Sequence, residues 1–303
     1  MRRLLVSVLA VTAIVTGACS SGGSNGGDGK LKVVAAFYPL AEAATKVGGD
    51  LVDLENLTPP GVEPHDLELT PSRIADIQEA DVVLYLGHGF APAVEDAVPD
   101  AQGTAVDLLE GLPLRPGVPE EGEEGSVDDP HVWLDPVLYR RVVERIEKAF
   151  AQARPDDAST FEANAQSFDA ELGRLDQEYR DGLTGCDRDL IVTSHAAFGY
   201  LSSTYGLRQE PIAGLAPDAE PSPDRLAELA ELVKREGVTT IFTEELVSPK
   251  VAETLAREVG VSTAVLNPLE GLTPKEVSAG DDYVSVMEDN LKTLETALGC
   301  PAS

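Results

Sequence analysis

Histidine is scarce in this 303-residue chain, which has four, and cysteine is scarcer, with three. Cys19, Cys186 and Cys300 form no Cys-x-x-Cys pair, which argues against a structural metal held by thiolates. No His-Glu-x-x-His pair occurs, so the helix-borne site of a zinc peptidase is missing as well. Basic side chains are few: 23 Lys and Arg face 53 Asp and Glu, for a formal charge of −30. Such an acidic chain repels phosphate backbones and anionic lipid, which excludes nucleic acid as the functional partner. The acid excess does not by itself identify a bound cation, because most of these carboxylates belong on solvated helix faces.

The N-terminus reads as an export leader. Met1-Arg2-Arg3 precedes an apolar run from Leu4 to Val15 that ends on Thr16-Gly17-Ala18-Cys19. That run is too short for a bilayer, which takes about 20 apolar residues. Gly-Ala-Cys fits a lipobox, although Thr16 stands where a larger aliphatic residue is more usual. The expectation is therefore removal of residues 1–18, lipid on Cys19 and a Gly/Ser-rich tether over 19–29, with simple secretion as the alternative. Losing the two leader arginines takes the charge from −30 to −32. Lipid on Cys19 leaves Cys186 and Cys300, an even number in an oxidising compartment, and these are expected to pair. The alternative is two buried thiols.

Length and apolar content favour two domains. Short β-rich runs alternate with helical patterns: Leu31 to Phe37, Leu51 to Leu54, Val82 to Leu86 and Thr104 to Val106, then Leu190 to Thr193, Leu207 to Pro211, Thr239 to Thr243 and Ser262 to Leu266. This rhythm predicts an α/β fold of two parallel sheets flanked by helices, over 30–154 and 183–303. Thr70-Pro71, Asp135-Pro136, Ser222-Pro223 and Ser248-Pro249 mark helix starts, with an oxygen-bearing cap before a proline at the first helical position. Gly237 and Gly260 mark helix ends. Residues 155–182 carry Phe161, Ala165, Phe168, Leu172 and Leu175 at helical spacing, which predicts a long backbone helix joining the domains. The Pro/Gly/Glu-rich stretch from Pro113 to Asp129 reads as an acidic loop.

Three of the four histidines stand in chemically suggestive settings: Glu63-Pro64-His65-Asp66, Asp129-Pro130-His131-Val132-Trp133 and Thr193-Ser194-His195-Ala196. Imidazole is the commonest protein ligand for a borderline transition metal. His65 and His195 follow strands, where parallel sheets collect ligands, so the three are expected to converge on one metal in the cleft between the domains. A fourth ligand is expected from the C-terminal half. Gly280-Asp281-Asp282-Tyr283 is the candidate, and its competing reading is a helix cap. His88 ends a strand and is expected at the rim.

Taken in order, Pro64-His65-Asp66 followed by Glu68-Leu69-Thr70-Pro71-Ser72, then Asp129 to Pro136, Ser194-His195-Ala196-Ala197-Phe198 and Gly280-Asp281-Asp282-Tyr283 resemble the ZnuA-like solute-binding lipoproteins of bacterial metal ABC transporters. The likeness covers essentially all of the chain after the tether. It implies one metal between two α/β domains, held by His65, His131, His195 and Asp281, with Asp282 as the alternative carboxylate. Three imidazoles and one carboxylate suit Zn²⁺ better than Mn²⁺. Manganese or another divalent metal is the alternative cargo, and a secreted zinc hydrolase or an adhesin the alternative function. Asp66 and Glu244 are expected to accept the free N–H of ligating imidazoles, and Trp133 to exclude water. The resemblance further implies an extracytoplasmic monomer, held by Cys19 on the outer face of the cell membrane or periplasmic. It would deliver zinc to an ABC permease. The loop before His131 contains no histidine, unlike that of many zinc carriers, and reads as a solvated surface loop, with weak zinc gathering or contact with a metallochaperone as the alternative.

Overall fold

The computed structural model describes residues 29–119 and 127–301. The leader, Cys19, most of the tether and the glutamate-rich stretch 120–126 lie outside these described residues.

Every β-rich run forms a strand. The N-terminal half contains β1 (Leu31–Ala35), β2 (Val52–Asn56), β3 (Val82–Tyr85) and β4 (Thr104–Asp107), and the C-terminal half β5 (Leu190–Thr193), β6 (Arg208–Pro211), β7 (Thr240–Thr243) and β8 (Ser262–Val265). Pairing is parallel throughout, in the orders β2-β1-β3-β4 and β6-β5-β7-β8. The two sheets thus repeat one topology. The central strands β5 and β7 are buried at every position, as expected where helices cover both faces.

Helices α1 (Tyr38–Gly48), α2 (Pro71–Glu79), α3 (Pro92–Ala97) and α4 (Pro136–Ala153) belong to the first half. Helix α5 (Ala158–Gly182) links it to the second, which carries α6 (Gly199–Tyr205), α7 (Pro223–Glu236), α8 (Lys250–Val259), α9 (Pro274–Ala279) and α10 (Tyr283–Leu298). The side chains of Thr70, Asp135 and Ser222 accept backbone N–H groups at the starts of α2, α4 and α7. The fourth predicted start differs by one residue. Pro249 lies just outside α8, no side chain caps that helix, and the Pro249 carbonyl accepts the N–H of Glu253. Gly237 and Gly260 end α7 and α8 at φ +67° and +78°, where a side chain would be strained.

At about 1.5 Å per residue, the 25 residues of α5 reach roughly 37 Å. Its buried face, Phe161, Ala165, Phe168, Leu172, Leu175 and Tyr179, packs on α1, α4 and α10, so one apolar core runs through both halves. A disulfide joins Cys186, just beyond α5, to Cys300 after α10, and ties the chain end to the connector. No helix among the described residues is long and apolar enough to cross a membrane.

Candidate metal centre

Four side chains converge between the sheets. His65 sits in a turn from Pro64 to Leu67, in the loop after β2. His131 ends the long connection from β4 to α4, and His195 stands two residues past β5. The fourth is Glu270, in the loop after β8. All except His131 therefore lie beyond carboxyl ends of strands, where the fold leaves its crevice.

One nitrogen from each imidazole and one oxygen of Glu270 lie within 4.8 Å of one another. Oε1 of Glu270 is 3.3 Å from Nε2 of His65, 3.3 Å from Nε2 of His131 and 3.0 Å from Nε2 of His195. Ligands about 2.05 Å from a tetrahedral zinc are separated by roughly 3.3 Å, so three of the six edges are close to the length the metal requires. Side chains of His131, His195 and Glu270 are fully buried, while that of His65 keeps 11% exposure. Oε2 of Glu270 is buried without a hydrogen-bond partner, a costly arrangement for a carboxylate that does no further work.

The imidazoles are oriented from behind. Nδ1 of His131 is 2.8 Å from Oδ1 of Asp129, and Nδ1 of His195 is 2.7 Å from Oε1 of Glu244. These carboxylates also accept the backbone N–H groups of the same histidines. A carboxylate on Nδ1 fixes the tautomer that presents an Nε2 lone pair to a metal. Phe90 packs 4.6 Å from the His65 ring and Trp133 5.1 Å from that of His131, which keeps water from this side. The Glu270 loop is set by Asn267 and Asn290. Nδ2 of Asn290 donates to the Asn267 carbonyl, its Oδ1 accepts the Asn267 N–H, and Oδ1 of Asn267 accepts from Leu269. Leu269 holds φ at +56°, an uncommon conformation for leucine, immediately before the carboxylate.

The charges are strongly coupled. Burial pushes His195 down, but Glu244 and Glu270 outweigh it and hold its pKa well above the usual value. His131 is likewise opposed by burial and raised by Asp129 and Glu270. Burial dominates at His65, which is lowered. Glu270 loses solvation too, yet the three imidazoles hold it well below the ordinary carboxylate range. Glu63, which accepts the His65 N–H, is pushed up to about 9 by burial and then by Glu270.

Several expectations change. Asp281 does not join the cluster, and the carboxylate there is Glu270. Gly280 ends α9 at φ +83°, and Asp282 caps α10 by accepting the Ser285 N–H while pairing with Lys46 at 3.1 Å. The Asp-Asp pair therefore builds a helix junction, and Asp282 is also no member of the cluster. Asp66 is exposed in the Pro64–Leu67 turn, and the carboxylates set against Nδ1 of His131 and His195 are Asp129 and Glu244. His88 lies outside the cluster, partly exposed, with Nδ1 2.8 Å from Asp128. Asp129 is an imidazole partner to which the motifs assign no role. Glu270 is signalled in the sequence only by its place: it stands five residues past the last residue of β8.

The chain is similar to known zinc-binding proteins. The chain is 40% identical over 306 residues to the zinc-binding lipoprotein AdcA of Streptococcus pneumoniae, covering 97% of this chain but only 61% of that protein. It is 39% identical to the high-affinity zinc uptake system protein ZnuA of Bacillus subtilis, over 96% of both chains. The crystal structure of the Zn(II)-bound ZnuA-like domain of S. pneumoniae AdcA superposes with a TM-score of 0.77 at 41% identity, over 89% of this chain and 99% of that domain. Residues 33–297 match the family described as ZnuA, zinc-uptake complex component A, periplasmic, and the chain belongs to that family.

Proposed function

We propose that this protein is the extracytoplasmic zinc-binding component of an ABC uptake system, capturing one Zn²⁺ on His65, His131, His195 and Glu270 and handing it to a permease. The observation that carries the reading is the approach of three imidazole Nε2 atoms to one buried carboxylate oxygen at 3.0–3.3 Å. Nitrogen-rich, four-ligand sites suit zinc, whereas manganese favours more oxygens and higher coordination. Four protein ligands would also fill the position that a hydrolytic zinc needs for water, which favours a carrier over an enzyme. The relatives' names support uptake, and lipid at Cys19 would keep a monomer at the membrane where its permease stands.

Elemental mass spectrometry of the chain from Lys30 onward tests the capture half, with one zinc per chain expected and loss in His195→Ala. Growth tests the delivery half. Deletion of the gene is expected to raise the zinc needed for growth, and an unchanged requirement would overturn uptake even if zinc binds.

A further inference from the structure

His131 belongs to the N-terminal half, yet the carbonyls of Asp129 and Trp133, two residues to either side of it, are held by tyrosines of the other half. Upstream, the Tyr200 hydroxyl of α6 donates to the Asp129 carbonyl at 2.8 Å and accepts the Arg115 N–H at 2.9 Å. The Asp129 N–H in turn donates to the Arg115 carbonyl at 2.9 Å, which closes a small ring of bonds around that hydroxyl. Downstream, the Tyr283 hydroxyl at the start of α10 donates to the Trp133 carbonyl at 2.6 Å, and its ring lies 4.4 Å from that of Tyr139. The Trp133 indole N–H then crosses to the Pro268 carbonyl at 2.8 Å, two residues before Glu270. All of these rings are at most 3% exposed.

From this arrangement we propose that Tyr200 and Tyr283 are positioning residues for His131: they grip the carbonyls on either side of it and make it part of a unit with His195 and Glu270. Neither tyrosine touches the metal position. Each acts through the five-residue segment Asp129 to Trp133, whose place sets where Nε2 of His131 points. Asp129 binds that imidazole through its side chain and Tyr200 through its carbonyl, so one residue transmits the grip directly to the ring. His65 is the most exposed of the four, and its loop reaches the opposite half through Glu270 and through the Gly61 N–H, which donates to the Leu272 carbonyl.

The proposal rests on the zinc reading for the two of its three readouts that use a metal. Tyr200→Phe and Tyr283→Phe remove single oxygens, and Tyr179→Phe is the control. Tyr179 is equally buried and donates to the Met287 carbonyl at 2.8 Å, but it does not bond the His131 segment. Zinc dissociation into excess chelator is expected to quicken about tenfold in Tyr200→Phe and Tyr283→Phe, as loss of a buried hydrogen bond would allow, and to stay near wild type in Tyr179→Phe. The d–d spectrum of the Co²⁺-loaded protein should change in the same two variants only. Dissociation rates in all three variants within about twofold of one another would overturn the proposal. Hydrogen exchange of the 131–135 amides in metal-free protein separates this from failure of the zinc reading. Faster exchange in the two variants alone supports the grip even if the wild type bound no zinc, and equal exchange in all three overturns it.

Discussion

Oδ1 of Asp129 lies 2.8 Å from Nδ1 of His131, and Glu244 repeats the arrangement on His195 at 2.7 Å. Two imidazoles of the cluster, one from each half, are thus oriented by the same device. Removing such a carboxylate typically costs 10–100-fold in metal affinity, and Asp129→Asn and Glu244→Gln are each expected to fall in that range. Competition against a chromophoric chelator measures this. Affinity unchanged in both would mean the carboxylates serve only the fold.

The same carboxylates set the pH dependence. They hold His131 and His195 above the usual imidazole pKa, and a proton on Nε2 competes with zinc. Affinity is expected to be lost as pH falls through these raised values, beginning above the ordinary histidine value of about 6.5. Binding should release protons, seen as a dependence of calorimetric heat on buffer ionisation enthalpy. Glu244→Gln should move the profile to lower pH by removing the charge that raises His195. Flat affinity between pH 7.5 and pH 5 would count against a three-histidine site.

Stability of the metal-free protein should run the other way. A histidine with a raised folded pKa contributes stability that is complete below its unfolded value and lost as pH rises through the folded one. Glu270, held low, contributes stability that is lost only as pH falls through its depressed value. His65, held low by burial, opposes this weakly. Metal-free protein should therefore melt highest between about pH 5 and 6.5, while the added stabilisation by zinc grows from pH 6 to 8. Thermal melts with zinc and with chelator check both slopes.

Glu270 and the Asp281–Asp282 pair separate by substitution. Glu270→Gln is expected to lose most bound zinc, and Asp281→Ala to retain it. Asp282→Ala removes a helix cap and should cost about 1 kcal/mol of stability with little effect on zinc. Retention of zinc by Glu270→Gln together with its loss from Asp281→Ala would reverse the assignment.

Reduction of the Cys186–Cys300 bond should destabilise without unloading. The bond closes a loop with a sequence separation of 114, for which chain entropy gives about 4 to 5 kcal/mol. Both cysteines lie away from the cluster, so zinc stoichiometry at moderate temperature should survive Cys300→Ser.

Much of the fold is legible in the amino-acid sequence. The β-rich runs predict the eight described strands: the central β1, β3, β5 and β7 are buried and largely apolar, while edge strands such as β6, Arg208–Pro211, are read from their alternation with helices, and the helical spacing from Phe161 to Leu175 predicts α5. The three histidines stand out because the chain has only one other. Glu270 has no such advantage among 53 acidic residues, and only the loop that follows β8 places it. Asp281 and Asp282 are attractive as a pair, but a paired aspartate before an amphipathic helix satisfies backbone N–H groups equally well. Asp66 shows the converse error: adjacency in sequence is not adjacency in a turn, where neighbouring side chains point apart.

Helix α5 has a mechanical consequence. A single rod of 25 residues packed along both halves has no joint at which to swivel, so the halves can part only by bending it or by sliding their packed faces. Either motion strains many contacts at once, and thermal agitation alone would let the cargo escape slowly. For the proposed zinc carrier this would mean that unloading is driven by the permease, whose surface would have to supply the force that the spine resists.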